Sequence, residues 1–337
     1  MKYSELHYER ISVEKNRKVM ENLVDRFSNA DTAEEQISTI LEADKAAGEY
    51  QSYASMASLN FSRNINDENA KAEKDYYDSI GPDMREIGDS FDKAVDQSQF
   101  KDELSAEWGE TYLKQIEMDL KTFDPKIKDM LKEETDLRND YTTLTAGAKI
   151  EFEGKNYNLA GLGPFHSHQD RDVRKRSIEA RFNWFSDNSD ALDETYDKLV
   201  KLRHKIATTL GYDNFIELGY MRMGRMDYGP KEVANFRKQI VDHVVPIVNK
   251  LHEKKKDILG LDHLYFYDGI NFKEGDPKPK GTPEHLVKEA QVMYHDLSKE
   301  TGEFFDMMVN EELMDLVNRD GKRPGGFCTS FPKYDRP

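Results

Sequence analysis

The sequence has few of the features that mark secreted, membrane or nucleic-acid-binding proteins. Cys328 is its only cysteine, so the chain can form no internal disulfide. No apolar run approaches the length of a membrane span, and residues 1–5 open no apolar signal region. Acidic residues outnumber basic ones by 65 to 49, and the net charge of −16 disfavours binding to phosphate backbones. We therefore predict a cytoplasmic protein that binds neither membranes nor nucleic acid.

What the 337 residues do contain is helical periodicity. Charged residues make up 34% of the chain, which is typical of exposed helices. Thr32 and Glu35 form a capping box ahead of apolar residues at helical spacing. The period changes at residues 149–159, where apolar and polar residues alternate around a turn and predict a β-hairpin. We predict a mostly α-helical protein, with a first helical lobe over residues 1–160 and a second part over residues 161–337.

Proline and glycine predict where the later helices break. Pro230 begins a long helix that reaches about Leu259, and Pro246 should kink it because proline lacks the backbone donor and crowds the preceding turn. Gly211 is placed to end an earlier helix. Residues 271–281, rich in proline and glycine, predict a loop.

Histidines supply the candidate metal ligands, but no pair has the spacing that places both on one helix face. His166 and His168 could form a metal or proton-transfer site, or could belong to a loop ahead of a capped helix, which is the interpretation we favour. His243 and His252 are nine residues apart on a predicted helix, so they lie half a turn out of phase.

Two further clusters each allow two interpretations. Arg222 and Arg225 lie in a methionine-rich strip, where they could hold a substrate carboxylate or pack, and we favour packing. Tyr265 and Tyr267 flank Phe266 and could line a peptide channel or pack under a loop. Both alternatives stay open for the tyrosines, which we name as candidate substrate-binding residues.

The stretch of residues 325–331 has the pattern of a short strand that follows two glycines. Adjacent glycines weaken a strand unless another backbone must come close, so the pattern indicates such a close approach at Gly325 and Gly326. The alternative is a simple turn. A lone strand has an unpaired edge, so we expect the chain to be the C-terminally incomplete front part of a longer protein.

The run of residues 322–334 resembles the strand and turn just upstream of the zinc-binding helix in the thimet oligopeptidase and oligoendopeptidase F family of zinc metallopeptidases, in its compact bacterial type. Other matching stretches follow the family's order: residues 170–176, 211–215, 261–268 and 277–284. The resemblance covers nearly the whole chain. It implies a two-lobed helical fold around a deep channel for short peptides. In that fold residues 325–331 form a cleft edge to which a peptide adds, so the resemblance, together with the paired glycines, predicts Gly325, Gly326, Phe327 and Cys328 as substrate-binding residues.

The chemistry of that family needs a His-Glu-x-x-His helix, whose histidines bind zinc and whose glutamate is the general base. His252-Glu253 is followed by three lysines, and His285 has Gly281 where the inverted motif would need a histidine. In the family the motif comes shortly after the point where this sequence stops. We therefore predict no catalytic residue and no metal ligand in this chain, and zinc only in the complete family enzyme.

The resemblance implies a zinc-dependent oligoendopeptidase that cleaves short peptides, and we expect this chain alone to be inactive. Its expected partners are an oligopeptide and a C-terminal half that carries the zinc site. The chain could be a partial sequence, one part of a split enzyme or a separately expressed lobe. The alternative function is a non-catalytic helical peptide-binding or interaction module derived from such a peptidase.

Overall fold

The computed structural model describes residues 1–337 and is 68% helical, which confirms the mostly α-helical prediction. The helices are α1 Val13–Ser28, α2 Ala33–Arg63, α3 Glu68–Asp96, α4 Lys101–Trp108, α5 Glu110–Leu120, α6 Lys128–Ala146, α7 Gly163–His166, α8 Arg171–Asp187, α9 Ser189–Thr209, α10 Phe215–Arg222, α11 Pro230–Gln239, α12 Val245–Leu259, α13 Pro283–Leu297 and α14 Lys299–Asn310. None of them combines the length and the apolar character that a membrane crossing requires.

The sheet consists of the predicted hairpin. Strands β1 Ile150–Phe152 and β2 Lys155–Tyr157 pair in antiparallel register. The turn between them is formed by Glu153 and Gly154, both with positive φ, at 49° and 73°. Two left-handed residues in a two-residue loop match the twist of the strands that they join.

The predicted helix from Pro230 to about Leu259 changes its hydrogen-bond pattern just ahead of Pro246, while a kink there stays a prediction. The segment from Pro230 to Leu259 divides into α11 and α12, with a π-helical turn over Ile240–Val244 between them. Pro246 lies in the first turn of α12. The wider turn ahead of the proline accommodates both its missing N–H and its ring.

The first core lies among α1, α2 and α3. Phe27, Tyr53 and Val95 are almost completely buried there. Phe331, close to the end of the chain, is 2% exposed and belongs to the same core. The C-terminal residues therefore pack onto the N-terminal helices.

A second core joins α6 to α9 and α10. Ile127, Ile206 and Leu218 are fully buried in it. Helix α6 comes before residue 160 and the other two helices after it, so apolar packing crosses the predicted lobe division. That division, residues 1–160 against 161–337, stays a prediction.

Residues 321–336 run along α2. The Arg323 amide donates to the Ser62 carbonyl at 2.9 Å, and the Lys333 amide donates to Ser52 Oγ at 2.9 Å. The predicted strand over residues 325–331 is not formed: in this stretch only Phe331 pairs, through an isolated bridge to Arg336. Since the sheet contains only β1 and β2, residues 325–330 have no strand beside them.

Candidate functional site

A cavity of about 800 Å³ lies between α2, α3 and residues 323–329. Small side chains of α2, among them Ala54 and Ser58, form one wall. Tyr77 of α3 adds an aromatic ring, and Phe327 and Cys328 line the opposite side. An open space of this size is within the range of known ligand pockets.

A second cavity, of about 640 Å³, adjoins the first and shares part of its lining. Gly325, Gly326, Phe327 and Cys328 all line it, together with residues 312–317. Phe327 and Cys328 border both cavities. We call residues 325–330 the groove segment; residues 325–329 line the second cavity, and residues 327–329 line both.

The two glycines of the groove segment have different backbone conformations. Gly325 has φ +92°, which an L side chain rarely adopts, so the backbone requires glycine at this position. Gly326 is not in the left-handed region, and its backbone would accept other residues. A β-carbon at Gly326 would meet no atom within 4 Å. The space beside Gly326 is therefore available to a ligand.

The backbone amides of the groove segment are free. No backbone amide of residues 325–330 donates a hydrogen bond within the chain. The ends are fixed: Arg323 bonds to Ser62, and the Phe331 amide donates to the Arg336 carbonyl at 2.7 Å. A segment with unpaired amides next to a cavity offers hydrogen-bond donors to the backbone of a second chain.

The candidate tyrosines lie elsewhere. The rings of Tyr265 and Tyr267 stack at 5.2 Å between centroids, and the Arg171 guanidinium lies 5.4 Å from the Tyr267 ring centre. Neither tyrosine lines the two cavities beside the groove segment. The structure thus brings together Gly325, Gly326, Phe327 and Cys328 and leaves the two tyrosines apart from them, and a substrate role for all six residues stays a prediction.

The tyrosines are held by a buried carboxylate that the sequence analysis did not single out. Asp268 accepts from Arg171 Nε at 2.8 Å, from Arg171 Nη2 at 2.9 Å and from the Tyr265 amide at 2.8 Å. Burial alone would raise the pKa of Asp268, but these donors outweigh it and lower the pKa to about 2. The two arginines at positions 171 and 174, one helical turn apart, were the available signal.

Arg222 has the packing role that we favoured. Glu134, 3% exposed on α6, accepts from Arg203 Nε at 2.7 Å and from Arg222 Nη2 at 2.8 Å. Burial opposes ionisation of Glu134, but Arg222 and Arg203 hold its pKa below the ordinary value. Arg225 lies over the rings of Tyr220 and Tyr228.

The histidine pair serves the start of a helix. His168 Nδ1 accepts from the Asp170 amide at 3.0 Å, and Asp170 caps α8 by accepting from the Asp172 amide at 2.8 Å. Burial, with the nearby Arg181, lowers the pKa of His166. No three His, Cys, Asp or Glu side chains of the chain come together as a possible metal site, so these residues do not fit a zinc ion. We assign no reaction step to zinc in this chain.

Family models match both parts of the chain. Residues 3–123 match the peptidase M3 N-terminal domain, and residues 165–336 match peptidase family M3. The chain belongs to peptidase family M3. The stretches that resembled oligoendopeptidase F in the sequence fall largely within the second match.

Solved structures place this M3 chain with the oligoendopeptidase F type. The chain is 40% identical to PZ peptidase A, which was solved with an inhibitor. The two structures superpose with a TM-score of 0.96, and the match covers 99% of this chain and 60% of that one. A protein of Bacillus anthracis str. Ames assigned as an oligoendopeptidase F is 36% identical, with a TM-score of 0.94, over 98% of this chain and 61% of that one. An oligoendopeptidase F homolog of Borreliella burgdorferi is 24% identical over 170 residues, 48% of this chain and 27% of that protein. The chain thus spans about three fifths of the solved relatives' length.

Proposed function

We propose that this M3 chain provides the peptide-binding part of an oligoendopeptidase, with a short extended peptide lying along the groove segment. The observation that carries the proposal is the row of free amides over residues 325–330, which is fixed at both ends and borders two cavities. Main-chain hydrogen bonds to such an edge bind a peptide with little dependence on its sequence. The single unpaired cysteine suits a reducing compartment, and we propose the cytoplasm.

Zinc-dependent cleavage of the bound peptide belongs, in this proposal, to a complete enzyme. The chain has no His-Glu-x-x-His sequence and no cluster of three metal-binding side chains. We expect this chain alone to bind peptides without hydrolysing them.

The proposed second half would cover apolar helix faces that nothing in the chain covers. No residue of α11, of the π turn or of α12 is buried. Exposed apolar side chains on these elements include Phe236, Val241, Ile247 and Leu251, each more than half exposed. Contiguous apolar surface of this kind marks an interaction site. We propose that a C-terminal half carrying the zinc site packs there.

A second candidate function is a peptide-binding module that never cleaves. A groove segment already formed in a chain without a zinc ligand set favours it. The two candidates differ in one assay, which adds the proposed C-terminal half and zinc to the purified chain and follows a quenched short peptide. Cleavage upon reconstitution supports the enzyme, and stable peptide binding with no cleavage supports the module.

Cys328 provides the direct test of peptide binding. It is exposed, it lines both cavities, and it is the only thiol in the chain. We expect a short extended peptide to slow its modification by a thiol reagent. The substitution Gly326→Val should abolish that protection, because the side chain would occupy the space beside the free amides.

The matched control is Gly88→Val, on α3. A β-carbon at Gly88 also meets nothing within 4 Å, and the site lies outside both cavities. We expect protection to persist in this variant. The groove segment is not the binding edge if peptides leave the rate of Cys328 modification unchanged in the wild-type chain. The same conclusion follows if peptides protect Cys328 equally well in the Gly326→Val variant.

A further inference from the structure

A third cavity adjoins the start of the groove segment and is lined by basic residues without acidic ones. It measures about 380 Å³ and lies between α6, α8 and residues 323–325. Its charged lining residues are Arg181 and Arg323, and no aspartate or glutamate lines it. In a chain with a net charge of −16, an acid-free pocket with two arginines requires an explanation.

Both arginines lack an anionic partner. Arg171, Arg203 and Arg222 each bind a buried carboxylate, whereas Arg181 and Arg323 form no ion pair. Each instead lies over an aromatic ring, Arg181 at 6.0 Å from the ring centre of Phe185 and Arg323 at 5.7 Å from that of Phe327.

These ring contacts hold the guanidinium groups without occupying their N–H donors. Two like charges that face one cavity repel each other, so an anion between them would be stabilised.

Neutral donors complete the lining. The Tyr141 hydroxyl, half exposed at the cavity, makes no hydrogen bond within the chain. The Gly325 amide is also free and belongs to the same lining. Planar guanidinium forks bind the two oxygens of a carboxylate, and hydroxyl and amide donors add to such a site.

We propose that Arg181 and Arg323 form a carboxylate-binding subsite for the bound peptide, at the Gly325 end of the groove segment. This inference rests on the proposed function, since the peptide along residues 325–330 supplies the carboxylate. Two sources share that chemistry: the free C-terminus of the peptide and an acidic side chain. The subsite would give the groove a preference for peptides with a carboxylate at this position. Main-chain hydrogen bonds alone do not distinguish one peptide side chain from another.

The experiment compares three versions of one short peptide on the wild-type chain: free C-terminus, amidated C-terminus, and amidated with a terminal glutamate. Cys328 protection gives their affinities. We expect the amidated peptide to bind about 10- to 100-fold more weakly than the free acid, the usual range for a charge-assisted hydrogen bond. Recovery with glutamate then shows that the subsite also accepts an acidic side chain, and no recovery restricts it to the C-terminus. Equal binding of acid and amide, with tighter binding of the glutamate peptide, assigns it to acidic side chains alone.

The variants Arg181→Gln and Arg323→Gln should remove the difference between acid and amide. Arg237→Gln is the matched control, since Arg237 is exposed on α11, forms no ion pair and lines none of the three cavities. Arg→Lys at either site should recover only part of the difference, because lysine keeps the charge and loses the fork. The comparison of acid and amide peptides on the wild-type chain tests the proposal even if a variant misfolds.

A small probe separates this inference from the proposed function. N-acetylglycine, titrated while the amide signal of Gly325 is followed by NMR, tests the pocket without a peptide groove. Binding that both glutamine variants abolish supports the subsite even if no peptide protects Cys328. Peptide protection that is equal for acid and amide, together with no response to N-acetylglycine, overturns the subsite and leaves the groove. A stronger response to inorganic phosphate than to N-acetylglycine also overturns the assignment to carboxylates.

Discussion

The substitution Asp268→Asn should destabilise the segment that carries Tyr265 and Tyr267. The Asp268 side chain is fully buried. It accepts from both Arg171 nitrogens and from the Tyr265 amide, all within 2.9 Å. Asparagine keeps the shape, but it removes the charge and places an amide group where one oxygen accepted hydrogen bonds. Arg174, itself buried, would also lose its nearest carboxylate at 3.4 Å.

The pKa gives the magnitude. The folded-state value for Asp268 is about 2, against an ordinary value of 3.8. This difference corresponds to roughly 2 kcal/mol of stability at neutral pH. Because the folded pKa is depressed, the contribution is present above the unfolded pKa and is lost as the pH falls through the folded pKa. Most of this contribution should remain at pH 4, and about half of it at pH 3.

Urea unfolding of the wild-type chain and of Asp268→Asn at pH 7, 4 and 3 measures the difference in free energy of unfolding. The difference should be largest at pH 7 and roughly halve by pH 3. Asp172→Asn is the control: Asp172 is 70% exposed, pairs with Arg176 on the surface of α8, and should cost no more than about 0.5 kcal/mol. A difference for Asp268→Asn that is independent of pH, or as small as the control, would refute this reasoning.

Three further predictions concern a buried ion pair, the zinc content and the sites of proteolysis. Glu134→Gln should lower the free energy of unfolding by about 2–4 kcal/mol in urea titrations, because Arg203 and Arg222 lose a buried partner; an unchanged midpoint would contradict the link between α6 and α9. The dialysed chain should hold far less than one zinc ion in elemental analysis, because no three metal-binding side chains come together. Stoichiometric zinc would contradict this prediction. Trypsin should first cut residues 271–281, which contain no buried residue and no helix, and first cuts within α1–α3 would oppose this.

Much of the fold could be predicted because its signals are local. The hairpin over residues 149–159 needs only alternation and a turn, and the break near Pro246 needs only the missing donor of proline. Gly211, with φ +95° after α9, ends its helix as predicted. In each case the structure is decided by residues within a few positions, so the sequence contains the relevant information.

The candidate site was predicted less completely because it depends on distant contacts. The pattern of residues 325–331 indicated a strand, but a strand exists only with a partner, and the chain supplies none beyond the bridge at Phe331. Arg181 and Arg323 reach one cavity from α8 and from the C-terminal segment, and no spacing rule relates them. The burial of Glu134 could not be predicted from α6 alone, because its partners Arg203 and Arg222 lie on α9 and α10.

The groove segment shows how tertiary contacts can prepare a binding edge. An extended stretch with free amides gains nothing from its own hydrogen bonds, so its order must come from its ends. Arg323 is tied to α2 on one side, and on the other Phe331 is buried in the first core. Since these contacts already fix the backbone, a peptide that binds would not bear the cost of ordering it. The contacts that fix the segment leave its amides unpaired, so the order of its ends and the peptide binding that we propose between them rest on one arrangement.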